Sequence, residues 1–213
     1  MSGTAKRMLD LIHGLLAFSR ITNKASSFVQ VDLAVITHEV LSDMEVRIKE
    51  TGGTIDVGPL STIDADPLQM RQLLQNLIGN ALKFRKKGEA PIVKIHGRFL
   101  DADTPDTDED SATPLFYQLT VEDNGIGFDE KYTDRIFGVF QRLHSQSEYE
   151  GSGIGLSICR KIAERHAGSI TVKSVPGMGS KFMVVLPAKN IKTEPVHETA
   201  LAALTVSSGS EHE

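Results

Sequence analysis

Three stretches of this sequence carry polar or glycine residues at spacings that could do chemistry. In QNLIGNALKF (75–84), Asn76, Asn80, Lys83 and Phe84 recur at i, i+4, i+7 and i+8 of a helix whose other positions are apolar, so they share one strip. An amide carbonyl is a hard oxygen suited to a magnesium ion that keeps most of its waters and takes other ligands from phosphates. An ammonium about a turn further on can meet the same phosphates. Alone, the motif fits equally well two asparagines hydrogen-bonded to nearby backbone. In DNGIGF (123–128), Asp123 ends a predicted strand, and Gly125 and Gly127 can take the positive φ angles of a tight turn. A carboxylate there can accept a hydrogen bond from an exocyclic amine such as that of adenine, with the glycines leaving room for a flat ring. Ordinary turn chemistry explains the same residues. In GSGIGLSICRKI (151–162), glycines run directly into a helix, and bare N–H groups at a helix N-terminus form an anion site suited to a polyphosphate. The stretch does not match the dinucleotide fingerprint, since no strand leads into it.

Together the glycines bracket a lid of about 129–153. Its floor would hold a base through Asp123, and its far hinge would hold phosphates through Gly151, Gly153, Gly155 and Leu156. Arg142, with Gln141, is placed to close on the phosphates, and Phe137 and Phe140 are the expected apolar anchors of the lid.

The elements that must position these residues are legible around them. Apolar residues from Leu33 to Ile48 predict a helix ending at Gly52-Gly53, followed by a short strand, TIDVG (54–58). Asp66 as N-cap and Pro67 at the first helical position start the helix that bears Asn76 and Asn80. PIVKIHGRFL (91–100) and LFYQLTVE (115–122) read as strands around an acidic connector, DADTPDTDEDSAT, with six carboxylates and no basic residue. A helix over about 154–167 leads to a terminal hairpin, SITVKSV and SKFMVVLP, around PGMG. At the N-terminus, AKRMLDLIHGLLAFSRI (5–21) has the stripe of an amphipathic helix that must pack on another helix or on the domain, and the composition after Asn190 predicts a flexible tail. One sheet with helices on one face is the expected arrangement.

Bulk properties exclude other classes. A net charge of −5 gives no general field for nucleic acid, and the longest apolar runs fall far short of the roughly 20 residues that cross a bilayer. The single cysteine, Cys159, excludes an internal disulfide or a cysteine-built zinc site and fits a reducing, cytoplasmic setting.

Taken in order, QNLIGNALKF, DNGIGF, RIFGVFQRLH, GSGIGLSI and a closing GMGSKF resemble the N box, first glycine box, phenylalanine box and second glycine box of the ATP-binding catalytic domain of sensor histidine kinases. FQRLHSQSEYEGSGIGL is similar to the phytochrome-like branch of that family. The resemblance spans residues 28–189 and implies an α+β, Bergerat-type fold: a mixed, mainly antiparallel sheet backed by helices, preceded by one dimerisation-type helix. It implies ATP and Mg²⁺ as ligands, with Asn80 on the metal, Asp123 on the adenine amine, Lys83 and Arg142 on the phosphates, Gly153 and Gly155 at the hinge and phosphate backbone, and Ser180 completing the base pocket.

In gyrase-like and Hsp90-like ATPases and in related serine kinases, the resemblance places a glutamate four residues before the magnesium asparagine as general base. Here that position is Asn76, which cannot take a proton at neutral pH. A histidine kinase has no such need, because its nucleophile is an imidazole from a separate helical hairpin. Residues 1–26 resemble the second helix of that hairpin, without the acceptor box, and 190–213 is the tail. Of the seven histidines, His38 is followed by Glu39, yet HEVLSDM lacks the arginine and proline of the acceptor box. The expected partners are therefore a phosphoacceptor hairpin and a response-regulator receiver domain, with homodimerisation through the N-terminal helix. The alternatives are an ATP-binding module without transfer activity, or an ATPase or serine kinase of the same fold.

Overall fold

Asp66-Pro67, ahead of an apolar stripe, starts a helix where the sequence places it. In the computed structural model, which describes residues 28–100, 116–143, 149 and 152–189, the chain runs β1 (Val29–Asp32), α1 (Leu33–Asp43), α2 (Glu45–Thr51), β2 (Thr54–Val57), β3 (Thr62–Ala65), α3 (Pro67–Lys83), β4 (Ile92–Leu100), β5 (Phe116–Asp123), two single 3₁₀ turns (Glu130–Tyr132 and Arg135–Phe137), α4 (Gly155–Arg165), β6 (Ser169–Val175) and β7 (Gly179–Pro187). The predicted N-terminal helix, the acidic connector and the tail lie outside the described residues.

The Asp66 side chain accepts from the N–H groups of Leu68 (3.0 Å) and Gln69 (3.2 Å), satisfying two donors that an α-helix leaves open. Its own N–H donates to Nε2 of buried His166 at 3.1 Å, while Nδ1 of that ring donates to the Ile162 carbonyl at 2.8 Å. Those two bonds fix the neutral tautomer, and burial holds the imidazole below its usual pKa. One cap therefore starts α3 and ties it to the end of α4. Asp66→Ala is expected to cost about 1–2 kcal/mol and lower Tm by roughly 3–6 °C in a thermal melt.

The main sheet has five strands in the order β2-β4-β5-β7-β6, with β2 parallel to β4 and the other pairs antiparallel. Alternate residues point inward, among them Val93 and Ile95, Tyr117, Leu119 and Val121, and Phe182, Val184 and Leu186. They pack with Leu73, Leu77 and Ile78 of α3 and Ile158 and Ile162 of α4 in one continuous core. Each such leucine contributes about 1.5–3 kcal/mol by leaving water.

Two features depart from the sequence expectation. The predicted helix ending at Gly52-Gly53 is two helices, broken at Met44, whose backbone (φ −97°, ψ 5°) leaves the helical region. A second sheet pairs β1 with β3 antiparallel, where one sheet was expected. These four-residue strands are too short for periodicity to reveal, and pairing across about 30 residues is a tertiary event.

Candidate nucleotide site

α3 ends at Phe84, whose carbonyl accepts the Ile126 N–H at 2.9 Å. This bond brings the DNGIGF turn against the end of the asparagine strip. Gly125 is required here by close approach, since a Cβ would overlap the Phe84 carbonyl oxygen. Its φ is not positive, contrary to the expectation from the motif; of the two turn glycines only Gly127 is left-handed, at φ 58°.

The sheet register sets Asp123 opposite Ser180. Oδ1 of Asp123 accepts the N–H of Gly125 at 2.8 Å and of Ser180 at 3.3 Å, while Oδ2 takes no bond from any described residue. Burial pushes this carboxyl up to about 6; the two N–H donors pull it partly back, and the neighbouring Glu122 charge adds to the rise. Ser180 Oγ lies 3.0 Å from Ser174 Oγ, and Ser174 Oγ also accepts the Phe128 N–H at 2.9 Å. Ser174 escaped the sequence reading, although its place in the inward-facing series Ile170, Val172, Ser174 was a usable signal.

Above this floor lies a cavity of about 960 Å³, within the size range of small-molecule sites. Asn76, Asn80, Lys83, Phe84, Asp123, Gly127, Arg142, Gly153, Gly155, Leu156 and Ser180 all line it, so the structure unites eleven of the expected residues. Gly125 supports it from behind, and Gly151 lies outside the described residues. Phe140 does not line it: its side chain is 52% exposed, whereas Phe137 is buried, with the Arg160 guanidinium 4.6 Å from its ring centroid. Phe137 alone of the two anchors the described lid, because the left-handed backbone of Phe140 (φ 61°) turns the chain after Gly138.

The Lys83 ammonium stands 4.2 Å from the centroid of the Phe84 ring, and Arg142 donates from Nη2 to the Tyr149 carbonyl. α4 opens at Ile154 with no side-chain cap, leaving its first N–H groups to whatever enters the cavity, and Gly153 supplies the left-handed hinge at φ 74°. Asn76 Nδ2 is buried beside the Cys159 thiol, which burial pushes up to about 12 and a hydrogen bond from the Asn76 side chain partly lowers. The uncapped start of α4 at the cavity wall fits a site that receives an anionic ligand. A single hard amide oxygen, Asn80, also fits a magnesium ion that takes its remaining ligands from phosphate and water. Among the described residues no cluster of three His, Cys, Asp or Glu forms a self-sufficient metal cage.

Residues 65–190 match the family described as Histidine kinase-, DNA gyrase B-, and HSP90-like ATPase. The chain belongs to this family. Within the ATPase family its likeness is to histidine kinases. It is 41% identical over 180 residues to cyanobacterial phytochrome A of Nostoc sp., covering 84% of this chain and 22% of that one. It superposes on full-length ShkA, solved in complex with AMPPNP, with a TM-score of 0.67 and 28% identity over 88% of this chain and 37% of that one. A nucleotide-free catalytic domain of histidine kinase ThkA gives a TM-score of 0.59 at 25% identity, over 77% of this chain and 97% of that domain. The chain thus carries a catalytic domain of the histidine kinase type and spans well under half the length of its full-length relatives. No helix among the described residues is long and apolar enough to cross a membrane.

Proposed function

We propose that the chain is the ATP-binding catalytic part of a protein histidine kinase in a two-component phosphorelay. It would bind ATP with Mg²⁺ and pass the γ-phosphate to an imidazole on a helical hairpin, from which a response-regulator aspartate takes it. The observation that carries this reading is the Asp123 carboxylate, held by two backbone donors on one oxygen and unpartnered on the other, on the floor of a cavity walled by the Asn76/Asn80 strip and an uncapped helix start.

Oδ2 of Asp123 accepts the adenine amine, Gly127 leaves room for the ring, and Ser180 closes the pocket beside it. The N–H groups at the start of α4 receive phosphate oxygens, with Lys83 and Arg142 as added cations once their present contacts exchange for the ligand. Asn80 would hold the magnesium ion, which neutralises phosphate charge as the bond to the leaving oxygen breaks.

Hydrolysis lacks its base, since α3 carries no carboxylate and Asn76 cannot accept a proton. The described histidines are poor acceptors. His166 is bonded at both nitrogens, His96 lies in β4, and the Glu39 beside His38 is committed to Arg71 at 2.5 Å. Incubating the chain with labelled ATP, magnesium and a separate acceptor hairpin should put acid-labile label on the hairpin alone. Nucleotide binding without label would leave a binding module, and absence of binding would remove the reading altogether.

Asn80→Asp sets a negative charge beside the triphosphate and is expected to lower ATP affinity or transfer by about 100-fold or more, read as a calorimetric Kd and an initial transfer rate. Wild-type values for both would remove Asn80 from the site.

A further inference from the structure

Three cationic side chains among the described residues line the cavity: Arg47, Lys83 and Arg142. Two are already engaged, Lys83 over the Phe84 ring and Arg142 with the Tyr149 carbonyl. The guanidinium of Arg47, on α2, has no hydrogen bond or ion pair with any described residue. Carboxylates near it in sequence do not hold it. Asp43, one turn earlier, accepts from Arg71 at 2.7 Å; Glu45 pairs with Lys49 at 2.5 Å; Glu50, also at the cavity wall, makes no bond to it. A free guanidinium one helical turn from two acids keeps its five donors for something else.

Its position narrows what that is. A Cβ built on Gly79 would stand 3.7 Å from Arg47 Nη1 and 3.8 Å from Met44 Cε, so the guanidinium lies across α3 at the residue just before Asn80. On the lid side, a Cβ on Gly155 would stand 3.3 Å from Asn76 Oδ1, placing α4 against a different edge of the same strip. α2 and α4 therefore flank Asn76 and Asn80 from two sides, and the α2 side has no backbone donors of its own to offer an anion.

We infer that Arg47 is a specificity-determining residue that contacts the terminal phosphate of the nucleotide from the α2 side and so discriminates ATP from ADP. The inference rests on the nucleotide reading of the site. The Asp123 end holds the base and the start of α4 supplies phosphate-binding amides, both common to ATP and ADP. A cation on the far wall is the group whose contribution depends on the third phosphate. A guanidinium suits this task because its fork meets two phosphate oxygens at once.

The test is calorimetric titration of the wild-type chain, Arg47→Ala and Arg47→Gln with ATP and with ADP, each with magnesium, alongside thermal melts. In both variants the ATP Kd should rise about 10-fold while the ADP Kd stays within about twofold, with Tm unchanged because the side chain is exposed. Arg47→Lys should recover only part of the loss, since an ammonium lacks the fork. Unchanged ATP affinity in the variants, or equal losses for ATP and ADP, would overturn the role of Arg47 and leave the site assignment standing. Failure of the wild-type chain to bind either nucleotide would overturn the nucleotide reading itself, and this inference with it.

Discussion

Asp123→Asn is expected to leave a folded protein that no longer holds ATP. The substituted side chain keeps one carbonyl oxygen for the N–H groups of Gly125 and Ser180, so the turn survives. The other atom becomes an NH₂ donor facing the adenine amine, itself a donor, and a buried donor pair with no acceptor should cut affinity by about 100-fold or more. Stability should move the other way. Burial raises the native carboxyl to about 6, so the folded state binds its proton more tightly than the unfolded chain does. The associated stabilisation is complete below about pH 4 and lost as pH rises from there through about 6. At neutral pH the charged group is a net cost of about 1–2 kcal/mol after allowance for residual solvent, and the neutral amide removes it. Tm at pH 7 should therefore rise by about 3–6 °C in the variant and show no gain at pH 4. In the wild type, ATP affinity should weaken as pH falls through about 6, where the acceptor oxygen becomes protonated. An ATP titration that is flat between pH 5 and 7.5, or a variant that binds ATP normally, would contradict this role for Asp123.

Gly179→Ala should produce the largest loss of stability. Gly179 sits at φ 109°, and a Cβ there would overlap the Asp123 carbonyl oxygen across the β5–β7 pair. The carbonyl belongs to a central strand and cannot swing away as a flexible side chain could, so the two strands must part at the point where Ser180 donates to Asp123. A cost of about 4 kcal/mol and a fall in Tm of roughly 8–16 °C are expected, with ATP binding lost in the fraction that stays folded. Gly177→Ala is the internal comparison. It lies two residues away at φ 77° with nothing within 4 Å of a Cβ, so it carries only the backbone strain, about 1 kcal/mol. Equal melting temperatures for the two variants would show that close approach at Gly179 does not matter.

Much of the site was legible because its chemistry is local. Asn76, Asn80 and Lys83 share a strip by helical period alone, Asp123 ends a strand by its place before Asn-Gly, and Gly153 precedes and Gly155 opens a helix that begins within one residue of expectation. The less legible residues act across distance in the chain. Arg47 looks in the sequence like any charged residue on an exposed helix face, and only the packing of α2 on α3 sets it beside Gly79, one residue before Asn80. Gly125 looks like a turn glycine, whereas the space for it is bounded by Phe84 some 40 residues earlier. Phe140 and Phe137 are equivalent in composition and spacing, and their different burial follows from one left-handed residue.

The sequence by itself determined the elements and the residue types able to meet base, phosphate and metal, because capping, turn chemistry and helical period operate over a few residues and need no partner. The tertiary structure decided which of them share a cavity, raised the Asp123 carboxyl by removing it from water, and split the first predicted helix. It also paired two short strands into a second sheet. Those outcomes depend on burial and on contacts between segments tens of residues apart, and local pattern carries no information about either.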